Sequence, residues 1–146
     1  MPNAPIDDID EMIVRELRAD GRLSIPRLAE RVGVSRANAY ARFDRLVEDG
    51  VITGFTATTD PRSLGLDVAA LIQISSDQQH WPRLKQELLA APGVEWLGMG
   101  AGEFDFVALV RARNLDDLRD VVLRHVLAID GVQSSHTTVL LDESRP

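Results

Sequence analysis

The chain has 146 residues, enough for one average domain or two small ones. It is 45% hydrophobic and 27% charged, which favours a folded globular protein over a disordered one. The net charge of −7 argues against a sequence-independent nucleic-acid coat, and the absence of cysteine excludes disulfides, cysteine zinc sites and thiol nucleophiles. Apolar runs such as Val68–Ile72 fall far short of the roughly 20 residues that cross a bilayer, and the residues from Met1 to Pro5 carry no signal-like pattern. The expectation is a cytoplasmic chain with no membrane partner.

In chain order, Ile9, Ile13 and Leu17 fall at helical spacing between a cap at Asp7 or Asp8 and a stop at Gly21. Ser24 caps a second helix with Pro26 in its first turn, Leu28 and Val32 facing inward, and Gly33 as its stop. Ser35 caps a third helix running to about Glu48, whose inward positions are Ala39, Phe43, Leu46 and Val47. Gly50 ends it, and the β-branched stretch from Val51 to Thr59 predicts a strand. Asp60-Pro61-Arg62-Ser63 is a turn and the best candidate boundary.

Beyond that turn the pattern changes. Strands are predicted over Val68–Ser75, Val94–Ala101, Phe104–Ala112 and Val132–Leu141, with helices over Trp81–Ala91 and Leu115–Ile129. The order β-α-β-β-α-β is the split ferredoxin-like arrangement, an antiparallel sheet with two helices on one face. The whole chain therefore reads as α+β. Its parts are a winged helix-turn-helix unit over 1–52, a linking strand over 53–66 and a second domain over 67–146.

Charge is uneven along the chain. From Arg22 to Arg45 six arginines face only Glu30 and Asp44, a +4 window in an acidic protein. On the third helix, burying the apolar positions leaves Arg36, Ala37, Asn38, Ala41, Arg42 and Arg45 outside, with Tyr40 at the margin. Arginine pairs with guanine and asparagine with adenine in the major groove, so Arg36 and Asn38 are the candidate base readers. Arg42 and Arg45 are candidate phosphate contacts, Ala37 and Ala41 permit close approach, and Ser24 joins the set at the start of the second helix. Most arginine-studded surface helices are merely solvated. The sequence of cap, turn, cap and glycine stop is what favours DNA reading here.

Leu23-Ser24, Leu28-Ala29, Gly33-Val34-Ser35, Arg42, Arg45-Leu46 and Gly50-Val51-Ile52 resemble the DNA-binding domain of the Lrp/AsnC (feast/famine) transcriptional regulators. Gly102-Glu103-Phe104-Asp105-Phe106, followed by Gly131-Val132 and a polar last strand, resembles the same family's effector-binding and assembly (RAM, ACT-like) domain. The resemblance covers essentially the whole chain. It implies a self-associating protein, a dimer that builds on to octamers, bound to a palindromic operator in double-stranded DNA. It also implies a small-molecule effector, an amino acid, and no cofactor.

By the same resemblance, Gly102 and Asp105 are effector-motif positions. Gly100, Ala101 and Glu103 belong to the same turn, and Ser135, His136 and Thr137 lie on the last strand, where hydroxyl residues line the family's site. An amino-acid ligand needs acceptors for its ammonium and donors for its carboxylate, which Asp105, Glu103 and the loop amides can supply. Read without the family, the same turn is a β-turn with a capping aspartate, and Gly98 and Gly100 open space on the strand before it. His80, His125 and His136 are scattered and form no metal-ligand set. Two rivals stand beside this reading. One is an enzyme with acid-base chemistry on Glu103, Asp105 and His136, for which no nucleophile, phosphate loop or metal set assembles. The other is an architectural DNA-binding protein without a sensor, against which the acidic charge weighs.

Overall fold

Three capped helices precede a four-stranded sheet in a computed structural model that describes residues 5–77 and 81–144. The chain divides into two compact units, one ending at Thr58 and the other beginning at Thr59.

In the first unit, α1 (Asp8–Ala19) is started by Asp7, not Asp8. The Asp7 carboxylate accepts from Asp10 N at 2.9 Å while the Asp10 carboxylate accepts from Asp7 N at 3.1 Å, a reciprocal capping box. Asp20 rather than Gly21 closes the helix, donating its N–H to Glu16 O. Helix α2 (Ile25–Val32) buries Leu28, Ala29 and Val32 and ends at Gly33, whose φ of 76° is the left-handed turn that leads into the next helix. Helix α3 (Arg36–Glu48) is capped by Ser35 Oγ, which accepts from Asn38 N at 3.2 Å. Ala39 and Leu46 are fully buried and Phe43 half-buried, but Val47 is exposed, which corrects its inward placement. The core joins Ile13, Leu17, Leu23, Leu28, Val32 and Leu46.

The strand predicted from Val51 to Thr59 does not form. Val51 and Ile52 pack instead against the helical core, and Ile52 N donates to Leu46 O, closing α3. Their β-branched side chains plug the helical unit, and among the described residues no segment forms a ladder with those that follow. Phe55 stacks on Phe43 with ring centroids 6.2 Å apart.

The second unit begins with a short 3-10 turn (Arg62–Leu64) held by the Asp60 carboxylate, which accepts from Arg62 N, Ser63 N and Ser63 Oγ. Then come β1 (Val68–Ser76), α4 (Trp81–Ala90), β2 (Val94–Met99), β3 (Phe106–Ala112), α5 (Leu115–Asp120) and β4 (Val132–Leu140). The strand order is β2-β3-β1-β4, every pairing antiparallel, as the ferredoxin-like reading requires. Alternation puts Ala70, Ile72 and Ile74 on one face of β1 and Phe106, Ala108, Val110 and Ala112 beside them on β3. Leu84 and Leu88 of α4 and Leu118 of α5 complete that core, where Trp81 meets Phe106 edge-on. Arg111 falls on the opposite face, buried and held by Glu95 at 2.9 Å and by Glu143.

The predicted helix Leu115–Ile129 is not uniform. After α5 the chain winds as a π-helix over Val121–Val126, with Leu127 N donating to Val122 O. The wider turn sets Val121 and Val126, five apart, both into the core. Gly93 turns the chain before β2 with φ 74°, and a Cβ there would lie 2.1 Å from Arg111 O.

Candidate nucleic-acid interface and effector site

The exposed N-terminal turn of α3 presents Arg36, Ala37, Asn38, Tyr40 and Ala41. Arg36 makes no ion pair among the described residues, and neither do Arg22 and Arg27. Ser24 is exposed at the head of α2 and makes no side-chain capping bond, so its hydroxyl is uncommitted by the helix it precedes.

Arg42 and Arg45 sit differently from the expected phosphate contacts. Arg42 Nη1 lies 2.7 Å from Asp7 Oδ2 and 2.8 Å from Asp10 Oδ1, and Arg45 Nη2 lies 2.5 Å from Asp10 Oδ2. The Arg42 side chain is only 19% exposed and that of Asp10 is wholly buried. Both arginines are thus tied to the N-terminus of α1, where the buried carboxylate needs partners to offset its desolvation. Hydrogen bonding from Arg42, then from the Asp10 amide, holds the Asp7 carboxyl below its usual 3.8. Asp10 is the residue that sequence reasoning missed. Its signal was the spacing of Asp7 and Asp10, three apart at a helix start, which marks a capping pair and not the arginines it recruits. Arg31 is likewise paired, to Glu16 at 2.9 Å.

The turn expected to meet the effector lies between β2 and β3. Gly100, Ala101, Gly102 and Glu103 are exposed and Asp105 is half-buried. Asp105 Oδ2 accepts from Ser76 N at 2.7 Å and Ser76 Oγ at 3.1 Å, while Asp105 N donates to Ile74 O and Gly100 N to Asp105 O. The aspartate pins the turn to the end of β1, and Ser76 is its unforeseen partner.

Register divides the three β4 candidates. Ser135 pairs with Ile74 and Thr137 with Ile72, so both lie on the helix-covered face, whereas His136 pairs with Gln73 on the other. Ser135 is level with Phe106, next to the turn, since both pair with Ile74. Thr137 is level with Ile72, four residues from Ser76 and about 13 Å along the strand. Ser135 and Thr137 thus share the covered face, His136 lies on the other, and β1 stands between all three and the turn. Gly98 opens no space: a Cβ there would lie 2.6 Å from the Trp96 ring, which covers it. His125 and His136 are exposed, and His80 lies outside the described residues.

Comparison with known proteins gives these two sites a setting. Residues 6–53 match a family model described as winged helix-turn-helix DNA-binding, and residues 69–146 match the Lrp/AsnC ligand binding domain. The leucine-responsive regulatory protein of Rhizobium meliloti is 34% identical over 141 residues, covering 93% of this chain and 89% of the relative. Escherichia coli AsnC superposes with a TM-score of 0.87 at 26% identity over 98% of this chain and 97% of that one. A Neisseria meningitidis transcriptional regulator, solved in complex with L-Met, shares the fold at a TM-score of 0.89 and 24% identity, over 97% and 94% of the two chains. The chain belongs to the Lrp/AsnC family: it is a DNA-binding transcriptional regulator in which a helix-turn-helix precedes a ligand-binding domain.

Proposed function

We propose that this regulator reads a palindromic operator through Arg36 and Asn38, and that an amino acid bound at the Gly100–Asp105 turn changes its occupancy. The observation that carries the reading is the N-terminal turn of α3, where an arginine with no ion pair among the described residues and an asparagine stand exposed on either side of Ala37. A two-fold operator fits a protein that self-associates, because each head offers few contacts and symmetry doubles them. Ser24 contributes a phosphate contact. At the turn, Asp105 Oδ1 and Glu103 face the ligand ammonium, loop amides its carboxylate, and Ser135 a hydroxyl contact. The division into a DNA-binding part at 1–52, a connection at 53–66 and an effector and assembly part at 67–146 belongs to this reading, as does assembly to a dimer or octamer. Coupling between ligand and operator is reciprocal, so a ligand that weakens operator binding binds less well to the DNA complex.

The test is a binding selection from genomic fragments with purified protein, with and without a pool of common amino acids. The expected result is a palindromic site whose occupancy shifts with one amino acid. Binding without sequence preference and with steep salt dependence would replace this reading with the architectural one.

A further inference from the structure

Arg42 Nε donates to Asn38 Oδ1 at 2.7 Å, while Nη1 of the same guanidinium contacts both oxygens of Asp7 and Oδ1 of the buried Asp10. Resting on the DNA-reading role proposed for Asn38, we infer that Arg42 is a positioning residue for base recognition: it orients the Asn38 amide by anchoring it to the start of α1. Arginine has donors and no acceptors, so the atom facing Nε must be the amide oxygen. That settles the amide's orientation and leaves Nδ2, with its two donors, as the group presented to a base edge. The group so selected pairs with an acceptor-bearing edge, as purine N7 does. The anchor is stiff because Asp10 has no exposure, is shared with Arg45 at 2.5 Å, and is bonded to the Asp7 amide. Asn38 is thereby ordered before DNA arrives, and its side-chain ordering is not charged against binding.

Two further consequences fit the same geometry. Arg42 and Arg45 are neutralised by Asp7 and Asp10, so the positive face presented to phosphate is narrower than the arginine count of this segment implies. Arg42 then contributes to sequence discrimination rather than to affinity for any duplex.

The experiment compares full-length wild type with Arg42→Lys, Asn38→Ala, Asn38→Asp and the Arg42→Lys/Asn38→Ala double variant. Each is titrated against the selected operator, single-base variants of it and an unrelated duplex, alongside thermal melting. Lysine keeps a cation for Asp7 and Asp10 but has no Nε–H for the amide. Arg42→Lys is expected to lose about tenfold discrimination at one base pair, to bind the unrelated duplex as wild type does, and to add nothing in the Asn38→Ala background. Asn38→Asp keeps the acceptor that Arg42 grips and removes the donors facing DNA. It is expected to fold normally and to lose discrimination at the same base pair. Equal loss on operator and unrelated duplex for Arg42→Lys would make Arg42 a phosphate contact and overturn the inference. So would an undiminished Arg42→Lys effect in the Asn38→Ala background, or intact discrimination in Asn38→Asp. Failure of wild type to select any site would overturn the DNA-reading role itself, a result distinct from these.

Discussion

The head of α1 and the β2–β3 turn each use an aspartate to join two segments, but they use it differently. Asp10 is wholly buried and spends both oxygens on Arg42, Arg45 and the Asp7 amide, locking the reading helix to its neighbour. Asp105 is half-buried and spends Oδ2 on Ser76. A closed network makes a rigid presenter, whereas a partly used carboxylate on an exposed turn leaves chemistry for something that arrives. The two aspartates thus contrast a carboxylate spent on a closed network with one fastened to a single residue.

The largest effect is expected from Asp10→Ala. The substitution removes the buried acceptor shared by Arg42 and Arg45 and breaks the capping box, while Arg42 keeps Asp7, and a loss of about 2–4 kcal/mol should appear in denaturant unfolding. A loss below 1 kcal/mol would show that the network is not what holds α3. Next comes Gly93→Ala in the sheet unit, where the left-handed φ and the 2.1 Å approach to Arg111 O leave no room for a methyl group. About 1–3 kcal/mol of destabilisation is expected in the same measurement. Asp105→Ala should be milder for stability, about 1.5 kcal/mol for the lost bonds to Ser76, yet should abolish the effector-dependent change in operator occupancy. Retained effector response would remove Asp105 from the ligand site and leave it a turn residue.

Most of the architecture was legible because its signals are local. Ser24, Gly33, Ser35 and Gly50 punctuate the helices, and the periods of the two halves differ. What escaped was what depends on partners distant in sequence. The stretch from Val51 to Thr59 has strand composition, but Val51 and Ile52 found a helical core first. Arg42 and Arg45 look solvent-facing on a helical wheel, and only the fold brings Asp7 and Asp10 beneath them. Ser135, His136 and Thr137 are consecutive, so one register assigns them to opposite faces, and the sequence carries no marker of that register. The π-turn at Val121–Val126 answers the spacing of two buried valines against the sheet, a demand that a uniform helical reading does not register.

Smaller effects sharpen the contrast within the helical unit. Ser35→Ala should cost about 1 kcal/mol through the lost cap on Asn38 N. Ser24→Ala should change stability by less than about 0.5 kcal/mol, because its hydroxyl makes no cap bond. The same Ser24 variant should weaken binding to every duplex alike if the hydroxyl meets phosphate. Acid gives the smallest and broadest signal. The carboxyls of Asp7, Asp60 and Asp117 are held below 3.8, mainly by hydrogen bonds from Arg42, Ser63 and the Arg113 amide respectively. Their contribution is present above 3.8 and is lost as pH falls through the depressed values, so the melting temperature should hold steady near neutrality and decline in that acid range.

The most direct measurement is the ratio of operator to unrelated-duplex affinity for wild type and for Arg36→Ala, at one fixed salt concentration. Reading by the N-terminal turn of α3 predicts that Arg36→Ala lowers operator affinity by about tenfold or more while binding to the unrelated duplex barely changes. Equal losses on both duplexes, or no loss on either, would contradict the claim that this turn reads sequence.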